Sequence, residues 1–84
     1  VLKPNSPNPF NSSTTIEFAL PEPGEVSLTV YDILGREVMR PVSGYREAGN
    51  HSVTVDMGEG GSGVYFYILT TSKSRISRSM VLLK

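Results

Sequence analysis

The feature that most constrains this chain is an alternation of apolar and wetter residues with period two, cut at short intervals by residues that cannot continue a strand. Ile16, Phe18 and Leu20 alternate with Glu17 and Ala19. Val26, Leu28 and Val30 alternate with Ser27, Thr29 and Tyr31, and Val53 and Val55 with Ser52 and Thr54. Successive side chains of a strand point to opposite faces, so each run presents one apolar face and one wet one. Helical periodicity is weak beside this signal. Pro21-Glu22-Pro23-Gly24 stops one run, because each proline removes a backbone donor. Tyr31-Asp32-Ile33-Leu34-Gly35-Arg36 reads as a hairpin turn. In it the Asp32 carboxylate bonds turn amides and Gly35 takes positive φ without steric cost. Ala48-Gly49-Asn50, the glycine-rich stretch Gly58 to Gly63, and Ser72-Lys73-Ser74 supply the other breaks.

Strands are therefore expected over 14–20, 25–32, 36–42, 51–57, 64–71 and 75–83, with a seventh short one near Val1–Lys3. About seven short strands at this spacing predict an all-β fold, an antiparallel immunoglobulin-like β-sandwich. An open barrel is the structural alternative. Pro4, Pro7 and Pro9 exclude a regular central strand before Phe10. Residues 1–13 read as a stiff Pro/Asn-rich lead-in, with Phe10 plugging it onto the sandwich end, and 14–84 as a single β-sandwich domain.

The 84 residues suffice for one small domain. A core of this size leaves little stability for a buried polar active site. No cysteine is present, which removes disulfides, thiolate nucleophiles and zinc–cysteine sites. The formal net charge of zero argues against a nucleic-acid binder. No apolar run approaches the roughly 18 residues of a transmembrane segment. Val1-Leu2-Lys3-Pro4-Asn5 is not a signal peptide and lacks an initiator methionine, so the chain reads as part of a longer protein. Charge is unevenly spread: Lys73, Arg75, Arg78 and Lys84 lie in a stretch from Thr70 onward that holds no acid. That stretch is read either as a basic strand beside an acidic sheet or as a basic patch.

Candidate chemistry is sparse. Gly58-Glu59-Gly60-Gly61-Ser62-Gly63 matches G-x-G-x-x-G, but Val64-Tyr65-Phe66-Tyr67-Ile68-Leu69 after it is strand-like. A dinucleotide site needs a helix there, so the stretch reads as an inter-strand loop. His51 is the only histidine, at a strand start where solvent exposure is expected, and makes neither a triad nor a metal site. Asp32, Asp56 and the glutamates fall at turns or on polar strand positions and read as solvated surface. Asn11-Ser12-Ser13 and Asn50-His51-Ser52 match the N-glycosylation sequon only formally. Tyr65 and Tyr67 share one face and Val64, Phe66 and Ile68 the other; the tyrosines are expected to pack across strands against neighbours such as Tyr31 rather than to stack on sugar rings. No catalytic, cofactor-binding or metal-ligating residue is assigned, and no cofactor is expected. Met80-Val81-Leu82-Leu83 is apolar on both faces and precedes Lys84. It is either a core strand or an accessible terminus that a receptor reads by strand addition.

These blocks, in this order, resemble the type A C-terminal sorting domain of the type IX (Por) secretion system. Pro7-Asn8-Pro9-Phe10-Asn11 with Ser13-Thr14-Thr15-Ile16 resembles its opening block, and Val30 to Val38 its central hairpin. Ala48-Gly49-Asn50-His51 and Ser62-Gly63-Val64-Tyr65-Phe66-Tyr67 resemble the next two, and Met80-Val81-Leu82-Leu83-Lys84 the last. Val55 stands where relatives often carry Trp, Ile68 where they often carry a basic residue, and Ser79 where a second basic residue often follows Arg78. The resemblance implies a non-catalytic tail that directs a larger N-terminal cargo through the type IX outer-membrane translocon. Transit is periplasmic, delivery is to the cell surface or outside, and a sortase-like surface protease then removes the tail. It also implies that recognition concentrates on Gly63, Val64, Tyr65, Arg78, Met80, Val81, Leu82, Leu83 and Lys84, and that the natural protein ends at Lys84. The Val-Tyr-Asp and Gly-Arg block is also similar to immunoglobulin-like domains of the flagellar hook-capping protein, which implies a structural assembly module. A carbohydrate-binding accessory domain of a secreted hydrolase, resting on Tyr65 and Tyr67, is a further alternative.

Overall fold

The alternating runs become six strands in the computed structural model, which describes residues 1–58 and 60–84. They are β1 (Ser13–Leu20), β2 (Gly24–Tyr31), β3 (Glu37–Arg46), β4 (Gly49–Asp56), β5 (Gly63–Thr71) and β6 (Arg75–Leu82). β1 and β4 pair as one antiparallel ribbon, and β3-β2-β5-β6 form an antiparallel sheet in that order. Among the described residues there is no helix. The inner faces of both sheets share one core. Thr14, Ile16, Phe18 and Leu20 face in from β1, and Val26, Leu28 and Val30 from β2; Tyr67 and Leu69 do so from β5, and Met80 and Leu82 from β6.

The seventh strand expected near Val1–Lys3 does not form; Leu2 makes an isolated antiparallel bridge to Phe18. The backbone still runs along the outer edge of β1, where Lys3 N–H donates to Glu17 O and Ser6 and Thr15 exchange N–H···O bonds. Between Leu2, which faces Phe18, and Ser6, which faces Thr15, the register slips by one residue, so no continuous ladder forms. β3 runs on to Arg46, past the expected end at 42. It is the edge strand of its sheet, so Pro41 loses no ladder bond that a neighbour needs. The turn expected at Ala48-Gly49-Asn50 tightens accordingly, and Gly49, at φ 118°, opens β4 instead of lying in the loop. β5 begins directly at Gly63, so the glycine-rich stretch leads into a strand; Glu59 within it lies outside the described residues.

The hairpin turn between β2 and β3 is built by Asp32. Its Oδ1 accepts the N–H groups of Leu34 and Arg36, both at 2.9 Å, and its Oδ2 accepts Arg36 Nε at 2.8 Å. Gly35 sits at φ 82°, the left-handed region that a Cβ disfavours. The bond from the Arg36 backbone, opposed by desolvation and helped by the Arg36 guanidinium, holds the Asp32 carboxyl below its ordinary range. The locked turn leaves Ile33 and Leu34 largely exposed.

Candidate functional site

The last two strands present different chemistry on their two faces, and strand parity decides which residue goes where. Register pairs Tyr65 with Met80, Tyr67 with Arg78 and Leu69 with Ile76, so this set faces inward. Val64 pairs with Val81, Phe66 with Ser79 and Ile68 with Ser77, so these face outward. The outer face of the four-stranded sheet thereby carries Val64, Phe66, Ile68 and Val81, with Tyr31 directly across from Phe66. Val64 and Phe66 are each 38% exposed and Leu83 is 55% exposed.

The resemblance-implied residues therefore split. Met80 and Leu82 have no solvent exposure and belong to the core. Tyr65 packs against the core, and its hydroxyl donates to Gly61 O at 2.7 Å. Arg78 lies on the inward parity at the sheet edge, and its Nε donates to Leu2 O at 2.7 Å. Gly63 takes φ 151° at the start of β5. Val64, Val81, Leu83 and Lys84 lie on the surface side; Lys84 N–H donates to Ser62 Oγ at 2.9 Å and its Nζ bonds Gly58 O. Asp32 and Gly35 lie in the β2–β3 turn, next to the outer-face groove that Phe66 and Ile68 help to line. The resemblance-implied set leaves out Phe66, Ile68 and Tyr31, although the shared parity of Val64, Phe66 and Ile68 is readable in the sequence and points to a central strand or a face covered by a partner.

β6 is an edge strand, and its outer edge has two fates. Toward its C-terminal end, residues of the lead-in cover it. Phe10 N–H donates to Val81 O at 3.0 Å, Leu83 N–H to Phe10 O at 2.9 Å, and Val81 N–H to Asn8 Oδ1 at 3.0 Å. Phe10 forms a parallel bridge with Leu82, and its ring is buried. The same parity points the backbone groups of Arg75, Ser77 and Ser79 off this edge, and no described residue pairs them. The lead-in is held to the sandwich a second time. Tyr67 Oη–H donates to Lys3 O at 3.0 Å, one residue from the carbonyl that Arg78 binds. Burial pushes the Tyr67 hydroxyl pKa up, against smaller opposing effects of the Asn5 backbone and the Arg78 charge.

Some expected surfaces are absent. Tyr67 is fully buried, so Tyr65 and Tyr67 do not form a sugar-stacking platform. Tyr31 packs on the opposite face from them. His51 is half-buried rather than solvent-facing, because it stacks on Phe18 with ring centroids 5.2 Å apart, while Nε2 lies 2.7 Å from Glu47 O. Among the described residues no three His, Cys, Asp or Glu side chains gather into a metal-binding group, and no helix is long and apolar enough to cross a membrane.

Compared with known families, residues 6–83 match the family model described as the secretion system C-terminal sorting domain. The chain belongs to this family. No curated protein and no solved structure matches it. A domain of this family is a C-terminal sorting signal for type IX secretion, attached to an N-terminal cargo and directing export to the cell surface or beyond. Sorting domains are in general non-catalytic. In the present sorting domain, the outer face of the last two strands sets apolar Val64, Phe66, Ile68 and Val81 beside Arg75, Ser77 and Ser79, over a closed core.

Proposed function

We propose that this sorting domain directs a larger cargo across the outer membrane by presenting the outward parity of β5 and β6 to the type IX translocon. The carrying observation is the cluster of Val64, Phe66 and Val81 on one face, with exposed Leu83 just past the end of β6, next to inward neighbours that are spent on the core. Contiguous exposed apolar surface on a small soluble domain marks an interaction site. Within the resemblance-implied set, Val64, Val81, Leu83 and Lys84 contact the receptor, whereas Gly63, Tyr65, Arg78, Met80 and Leu82 shape the strands that hold them. The two sheets over one core are read as an immunoglobulin-like sandwich. Transit is periplasmic, with a sortase-like protease removing the domain at the surface.

The test is a fusion of the domain to a periplasmic reporter in a type IX-competent host. The wild-type fusion reaches the surface. The double variant Val64→Glu/Leu83→Glu loses at least tenfold of surface delivery while its melting temperature stays within a few degrees, since both positions are exposed. Undiminished delivery of that variant would place the signal elsewhere. Deleting Met80 to Lys84 is a poorer test, because it removes two fully buried side chains and unfolds the domain together with the signal.

A further inference from the structure

The free half of the β6 edge is a docking rail. We infer that Arg75–Ser79 accepts an extended, acidic segment of a partner protein by strand addition, with alternate apolar side chains of that segment resting on the outer-face shelf of Phe66 and Ile68. This rests on the sorting reading above and specifies how the partner is held. Five residues of open edge span about 17 Å, the length of an average strand.

Each of the other edges differs in kind. β1 is covered by residues 1–6, and β6 beyond Ser79 by Asn8 and Phe10. β3 carries Pro41, together with register shifts between Leu28 and Val30 and between Val30 and Tyr31, which spoil a flat template. β4 is paired only by β1, but it carries no Lys or Arg. β3 also carries cations, Arg40 and Arg46, but on the interrupted edge just described; β6 pairs with β5 without a register shift and joins a regular unpaired edge to cations. Arg75 and Arg78 have no carboxylate within 4.0 Å among the described residues, whereas Lys73 is paired with Glu22.

Charge also selects the occupant. Antiparallel pairing of two copies along this edge would gather four arginines and no acid on one short ribbon, with Arg75 on its outer and Arg78 on its inner face, so a second copy offers no opposite charge. A segment bearing Asp or Glu meets the same arginines favourably. The outward side chains of the rail are small: Ser77 and Ser79 stand beside Ile68 and Phe66. A large apolar side chain on an added strand can therefore lean over the serines onto the groove lined by Tyr31, Ile33, Phe66, Ile68, Arg75 and Ser77. Backbone bonds supply affinity in such a mode, and alternate side chains supply selectivity.

The experiment uses the same reporter fusion, with wild-type delivery as the control on the sorting reading itself. Ser77→Pro removes one outward N–H and no bond to β5; surface delivery falls at least tenfold, while Ser77→Ala is delivered normally. Thr54→Pro removes an N–H from the free edge of β4 and leaves delivery unchanged. Arg75→Glu lowers delivery several-fold and Arg75→Lys does not. If Ser77→Pro melts early, the pair Arg75→Glu and Arg75→Lys decides. Normal delivery of folded Ser77→Pro, or of Arg75→Glu, overturns the inference while leaving the sorting role intact. Dimerisation of the purified domain that Ser77→Pro abolishes also overturns it, in favour of a second copy as the occupant.

Discussion

Leu82 and Leu83 are neighbours of the same type, yet one has no solvent exposure and the other is 55% exposed. The same contrast runs along the whole of β5 and β6. Tyr67, Leu69, Met80 and Leu82 fill the sandwich, while Val64, Phe66 and Ile68 lie on its outside. In a run that is apolar on both faces, parity therefore tells which side chains fill the core and which face out. Under the receptor role proposed above, single substitutions at adjacent positions separate stability from delivery.

The contrast breaks most sharply at Phe10 and Leu82. Phe10→Ala is expected to cost about 3–5 kcal/mol and Leu82→Ala about 2–5 kcal/mol, from lost burial plus the cavity left behind. A domain of this length has roughly 4–13 kcal/mol in total, so either change brings it near the unfolding threshold. Leu83→Ser, one residue away, should stay within about 0.5 kcal/mol. Urea titration of the three variants checks this; equal losses for Leu82→Ala and Leu83→Ser would refute the parity assignment.

A smaller effect sharpens the comparison at the second clasp of the lead-in. Tyr67→Phe keeps the ring in the core and removes only the bond to Lys3 O, for about 0.5–1.5 kcal/mol. Because the folded-state pKa of Tyr67 is raised above its ordinary 10.0, this residue's contribution is complete below that pH. It is lost as pH rises through the higher folded value. Alkaline melts of wild type should therefore fall more steeply than those of Tyr67→Phe. The smallest effect belongs to the exposed turn. The Asp32 carboxyl is held below its ordinary 3.8 in the folded state, so its contribution is present above that pH and lost as acid titrates it. Asp32→Asn should flatten the acid limb of the stability profile; an unchanged limb would mean the turn does not need the charge.

Much of the fold was legible, because alternation and turn chemistry are local. Strands at β1, β2, β5 and β6 fall within a residue or two of where Ile16, Val26, Val64 and Ile76 place them. β3 was expected to end at 42 and runs on to Arg46, because edge status is a property of sheet order, which no local pattern reveals. Six strands formed where about seven were expected, since the register of the first residues against β1 slips by one between Leu2 and Ser6. Of the candidate site, the family resemblance implied residues on the last strands, and these strands form as β5 and β6. The division of those residues between core and surface was not, because Met80-Val81-Leu82-Leu83 is apolar at every position and only cross-strand register separates it. The roles of Tyr67 and Arg78 in holding Leu2 and Lys3 depend on contacts 64 and 76 residues apart in sequence, beyond any windowed reading.

Those long separations bear on the order in which the molecule assembles. Closing such wide loops is entropically costly until the intervening hairpins exist, so β2 against β3 and β5 against β6 are expected to zip first. Seating of Leu2, Asn8 and Phe10 comes late and requires both ends of the chain at once. The Val81 and Leu83 amides, which bond only to Asn8 and Phe10, would then act as a completion mark, gaining protection from hydrogen exchange after the rest of the core is already closed.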